Sequence, residues 1–151
     1  MDPRWLVAAW AVAIALSDAR WRRIPNALTL GVCAAALVVL ALDGRSLLGG
    51  EPWNVAGAAA IALLLTVPGW LTGRLGAGDA KFLLAFACLS GLEAVLITFA
   101  VGGLTAGALA LGVLVRVPTF LYHPGVDCRR PLPFGTCLAV GMLAALVAGG
   151  R

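Results

Sequence analysis

Six apolar runs separated by short polar joints leave this chain almost no way to fold in water. They are Trp5–Ser17, Ala27–Leu42, Trp53–Gly73, Ala80–Leu92, Ala94–Val115 and Leu132–Gly150. A helix needs about 20 mostly apolar residues to cross ~30 Å of hydrocarbon. The third, fifth and sixth runs meet that length as they stand, the second meets it with its flanks, and the first and fourth are short. Of the 151 residues, 62% are apolar and 12% charged, whereas soluble domains run at about 45–50% and 25%. So short a chain cannot hide that excess in a core. The sequence therefore predicts an all-α, polytopic membrane helix bundle of about six transmembrane helices, forming one domain over residues 1–151. Pro68, Gly69, Gly102, Gly103 and Gly107 fall inside runs, where helix packing in lipid tolerates them.

Eleven Lys and Arg against seven Asp and Glu give a net charge of +4. The basic residues form no stripe along a polar face, so no nucleic-acid partner is expected. On a six-span path one side of the membrane carries Arg20, Arg22, Arg23, Arg74, Lys81, Arg116, Arg129 and Arg130, and the other only Arg4, Arg45 and Arg151. Cytoplasmic loops are enriched in Lys and Arg, which makes the first side cytoplasmic and puts both termini outside. A rival reading takes Arg4, the first run and Ala15-Leu16-Ser17 as a cleaved signal peptide. That would leave five spans with Asp18 at a new N-terminus, and Arg20, Arg22 and Arg23 argue against it as a retention signal. Cys33, Cys88 and Cys137 lie in apolar runs, where a thiol behaves as a small hydrophobe. Cys128 lies in a joint and no C-x-x-C occurs, so neither zinc nor a redox dithiol is indicated, and no cofactor is expected.

Five of the seven acids, Asp2, Asp43, Glu51, Glu93 and Asp127, fall in joints or at the terminus. Asp18 directly follows the first run and Asp79 directly precedes the fourth, which puts both at the cytoplasmic edge. An ionisable group at such a depth is a functional candidate. Two carboxylates brought together in a poorly solvated place share one proton and titrate as a coupled pair. That is the state an aspartic protease uses: one member takes a proton from water while the other donates to the substrate carbonyl. The structural alternative is that Asp79 caps its helix and Asp18 pairs with Arg22 at helical spacing.

The neighbouring residues sharpen the choice. Asp79 stands in Gly76-Ala77-Gly78-Asp79-Ala80-Lys81, whose glycines permit positive φ and close approach of a substrate strand. A phosphate-binding loop would carry Ser or Thr after the lysine, and Phe82 stands there. After Asp18 comes Arg22-Arg23-Ile24-Pro25-Asn26-Ala27-Leu28-Thr29. Pro25 forces a turn and Asn26 is suited to cap the second helix. An acid followed by Arg-Ile-Pro-Asn-Ala-Leu-Thr, then Gly-x-Gly-Asp-x-Lys with the two acids 61 residues apart, resembles the type IV prepilin peptidases. Pro133-Phe134-Gly135 resembles that family's segment before the last span. The likeness runs from about Ser17 to Gly141.

The resemblance implies that Asp18 and Asp79 are the catalytic acids, with Gly76, Gly78, Lys81, Ile24, Pro25 and Asn26 as supporting motif residues. It implies a prepilin or pseudopilin substrate whose apolar helix lies in the bilayer while its basic leader stays cytoplasmic, and a place in the bacterial cytoplasmic (inner) membrane. Larger members carry a cysteine-paired cytoplasmic insert and also N-methylate their product. This chain looks like the short, peptidase-only form associated with tight-adherence pili. Lys81 is expected near the acids, either lowering the pKa of one or lying at the interface as a snorkelling lysine. Arg20, Arg22 and Arg23 read as topology determinants, His123 as a loop residue, and the tryptophans as interfacial anchors. Two other classes stay open: a small proton- or cation-handling transporter subunit, which would favour acids at the bilayer midplane, and a non-catalytic pilus-assembly protein.

Overall fold

Proline opens the first helix, since a proline at a helix start gives up only an N–H that has no partner there. In the computed structural model, which describes residues 2–21, 24–73, 75–114 and 134–149, helix α1 runs Pro3–Trp21. It is followed by α2 (Asn26–Asp43), α3 (Pro52–Leu71), α4 (Ala77–Leu89), α5 (Leu92–Leu114) and α6 (Phe134–Ala148). Pro52 opens α3 in the same way. Gly44 closes α2 at φ 68° and returns its N–H to the Leu40 carbonyl at 3.0 Å, a left-handed cap that glycine adopts without strain. The architecture is the expected all-α helical membrane bundle.

Three helices, α2, α3 and α5, are long and apolar enough to cross a membrane. The second run qualifies with its flanks Asn26 and Asp43, as expected, and the sixth gives a described helix of 15 residues, with residues 132, 133 and 150 of that run outside the described residues. The first run extends four residues past Ser17 to Trp21, with Arg20 in its last turn, where a cation favours the dipole. Asp18 thus lies inside α1.

The shortness of α4 has a packing explanation. Phe82, Leu83, Ala85, Phe86, Ala87, Cys88 and Leu89 are all buried, and α4 contacts α2, α3, α5 and α6. A helix apolar on every side belongs in the interior and need not reach both surfaces. Its far end is tied down by the 44–51 segment: Ser46 Oγ donates to the Ser90 carbonyl at 2.9 Å, and Leu48 N–H donates to the Leu89 carbonyl at 3.0 Å. Nearby, Asn54 Oδ1 takes the Leu92 N–H at 2.7 Å.

Helices α5 and α6 cross backbone to backbone. A Cβ on Gly141 would strike the Thr98 carbonyl oxygen and come within 2.9 Å of the Gly102 nitrogen, the close approach that small residues allow between membrane helices. Helix α1 packs on α6, and Trp10 links it to the other half. The Trp10 ring lies 5.2 Å from Phe82 of α4, and its Nε1–H donates to the Leu28 carbonyl of α2 at 2.8 Å. Leu42, Leu104 and Val147 are each more than 70% exposed, an outer apolar surface suited to lipid and rare on soluble monomers.

Several expectations fall outside the described residues: the Arg22 and Arg23 retention signal, the Asp18–Arg22 pair, Arg74, Arg116, His123, Asp127, Cys128, Arg129, Arg130, Pro133 and Arg151.

Candidate active site

The last turn of α1 and the first turns of α4 and α6 meet at one end of the bundle, and each brings polar groups. Asp79 is the third residue of α4, only 8% exposed. Its Oδ2 accepts the Gly76 N–H at 3.0 Å. This is the carboxylate half of a capping box, because glycine has no side chain to return the bond. Asp79 was expected just ahead of the helix as its N-cap; Gly76 holds that place. Helix α4 starts three residues earlier than the apolar run because the Asp79 carboxylate itself satisfies the helix start.

Asp18, 6% exposed, reaches across to α6. Its Oδ2 accepts the Thr136 N–H at 2.9 Å and lies 3.3 Å from the Thr136 hydroxyl oxygen. The first N–H groups of a helix have no partner within it, so Asp18 caps α6 from another element. Each acid therefore sits at the positive end of a helix dipole, which favours negative charge there. Two carboxylates at one end of a bundle repel, and the two helix termini offset part of that repulsion. Ser17, Asp18 and Asp79 all have further interactions with their neighbours.

Ile24 joins the two halves of the site. A Cβ on Gly78 would stand 3.3 Å from the Ile24 Cβ, and one on Gly135 would stand 2.9 Å from the Ile24 Cδ1. The isoleucine thus lodges between the glycine beside Asp79 and the glycine before Thr136. From α6, the Cys137 thiol lies within electrostatic reach of both carboxylates. Gly78 and Gly135 serve this contact, and the Asp79 motif forms no left-handed turn: Gly76 has φ −77° and Gly78 lies within α4. Among the described residues positive φ occurs at Gly44, Gly49 and Gly73.

Two supporting residues take other roles than expected. Asn26 makes no capping bond; Pro25 occupies the N-cap of α2, in an extended conformation with φ −59° and ψ 136°. The Asn26 Oδ1 accepts instead from Lys81 Nζ at 3.0 Å, tying the first residue of α2 to the fifth of α4. Sequence reasoning passed over Thr136, whose one signal is a hydroxyl in the first turn of an otherwise apolar helix. Among the described residues no three His, Cys, Asp or Glu side chains gather as a metal site.

A family model described as the type IV leader peptidase family matches residues 5–111, a segment holding both acids and both of their motifs. The chain belongs to that family. It is a peptidase of the membrane, and the resemblance carried by the two acidic motifs holds. The match covers α1 to most of α5, while Gly135 and Thr136 of α6 lie beyond it. No curated protein and no solved structure matches the chain.

Proposed function

We propose that this leader peptidase is an aspartic endopeptidase in which Asp18 and Asp79 hold one proton between them. It would act as a single transmembrane domain at the cytoplasmic face of the bacterial inner membrane, with both termini outside. The substrate is a type IV prepilin or pseudopilin, with its apolar helix in the bilayer and its basic leader in the cytoplasm. The reading carries cleavage without methylation, in the manner of the tight-adherence type; no C-x-x-C pair occurs in the sequence to hold a metal-binding insert.

The chemistry follows from the pair. The ionised carboxylate draws a proton from a water molecule as its oxygen attacks the scissile carbonyl carbon, and the protonated partner donates to the carbonyl oxygen. Collapse of the tetrahedral intermediate breaks the C–N bond as the first carboxyl passes the proton it took from water to the leaving amine and the second takes one back from a hydroxyl of the intermediate, which restores the pair. The new carboxyl end departs with the leader. Water attacks directly, so no acyl-enzyme forms.

The observation that most supports this reading is the seating of Ile24 against both Gly78 and Gly135, which draws the turn bearing Asp79 and the turn held by Asp18 into one place. The test is leader removal from a cognate prepilin in proteoliposomes, followed by mass spectrometry of the new N-terminus. The unaltered chain is expected to cut once and leave the terminus unmethylated, and Asp18→Asn and Asp79→Asn to leave the substrate whole. Full cutting by either variant contradicts the pair. Abolition of cutting by a chelator would redirect the chemistry to a metal held between the carboxylates.

A further inference from the structure

We propose that Thr136 is the positioning residue that satisfies Asp18 in both of its protonation states, an inference that rests on the aspartic reading above. Its hydroxyl oxygen stands 3.3 Å from Asp18 Oδ2 and 3.3 Å from the Ala15 carbonyl oxygen. A hydroxyl has one proton to donate and lone pairs to accept, so it can serve only one of those acceptors at a time. With Asp18 ionised, the hydroxyl and the Thr136 N–H at 2.9 Å both donate to Oδ2. With the proton on Oδ2, the carboxylic acid donates to the hydroxyl, which turns its own proton to Ala15. The N–H bond persists throughout. The proton changes owner while the 6% exposed side chain keeps its partners and its rotamer.

This arrangement answers a demand that a fixed donor does not meet. A carboxylate held by N–H groups alone is stabilised only as an anion, whereas an acid that must give and take a proton in each turnover needs a partner able to reverse. The carbonyl of Ala15 supplies the second seat, and it lies on α1 three residues before Asp18, so acid and seat move together. Among the described residues, the Cys137 thiol of α6 lies within electrostatic reach of both Asp18 and Asp79 of α4. Lys81 is engaged by Asn26, and Arg20 shares the last turn of α1.

The test compares Thr136→Val, which keeps shape and N–H and loses the hydroxyl, with Thr136→Ser, which restores it. Leader removal is followed as a function of pH, beside an infrared titration of the Asp18 carboxyl band, assigned by its disappearance in Asp18→Asn. The bond to the anion is charge-assisted and stronger than the bond made by the neutral acid, so losing both moves the acidic limb of kcat/KM and the band midpoint upward by about one pH unit in the valine variant, with KM unchanged. The serine variant returns both to the unaltered values. A valine variant whose limb and band stay in place overturns the role of Thr136, even where Asp18→Asn is inactive. Full activity of Asp18→Asn instead overturns the aspartic reading itself. The infrared titration needs no turnover, so a slow valine variant still decides the question.

Discussion

Gly135 lies so close to Asp18 that a methyl group on its α-carbon would stand 3.0 Å from both the carboxyl carbon and Oδ2. The same methyl would press on Ile24, so neither neighbour can yield without moving the other. Gly135→Ala is expected to displace the Asp18 carboxylate and reduce leader removal by about 100-fold, the scale of loss that a displacement near 1 Å brings in a positioned site. Thermal unfolding in detergent checks that the bundle survives. An alanine variant with unaltered rate would mean that the carboxylate position does not govern turnover.

Lys81 and Asn26 form one contact between α2 and α4, at 3.0 Å. Residues in direct contact couple by amounts reaching about tenfold in rate. The expected pattern is that Asn26→Ala and Lys81→Met slow processing alike and that the double variant is no slower than either. Losses that multiply in the double variant would show Lys81 acting independently of Asn26.

Cys33 of α2 and Cys88 of α4 face each other with their sulfur atoms 3.7 Å apart. A disulfide needs about 2.05 Å, a closure small enough for side-chain motion. Mild copper-catalysed oxidation in membranes should join these two, detected as one linked peptide pair by mass spectrometry. Linkage of Cys88 to Cys137 in preference to Cys33 would contradict the packing of α2 on α4.

Thr98 is fully buried, and its hydroxyl is the one buried side-chain oxygen without a hydrogen-bond partner among the described residues. Replacing an unsatisfied polar group with an apolar one of the same shape is neutral or stabilising. Thr98→Val should therefore keep the stability or raise it by about 1 kcal/mol at most, read as an unchanged or higher melting temperature, and leave leader removal unchanged. A clear loss of stability would place a partner on that hydroxyl.

The two acids were legible because a carboxylate is expensive near lipid and few exist in this chain, so Asp18 and Asp79 stood out from acids in joints. The helix boundaries around them were less so. Gly76-Ala77-Gly78 reads as a loop by composition, yet α4 takes in Ala77 and Gly78, because Asp79 closes the helix start and the missing Cβ of Gly78 gives room to Ile24. Asn26 carries the signature of a cap, but Pro25 takes that place and its side chain reaches a residue 55 positions away. Thr136 was invisible for the same kind of reason: its partner is 118 positions distant, and one hydroxyl at a helix start looks like an ordinary cap. Local signals marked the groups with unusual energies, and pairings across the bundle were set by packing.

Shared use of one proton by Asp18 and Asp79 is tested most directly by a double-mutant cycle on leader removal. Asparagine keeps an acceptor oxygen for the Gly76 and Thr136 N–H groups, so the helix starts stay satisfied while the acid chemistry is lost. Residues acting as a unit are strongly non-additive. Asp18→Asn and Asp79→Asn should each slow cutting by about 1,000-fold or more, and the double variant should be no slower than the singles. A single variant that cuts at the unaltered rate, or two losses that multiply in the double, would contradict the account.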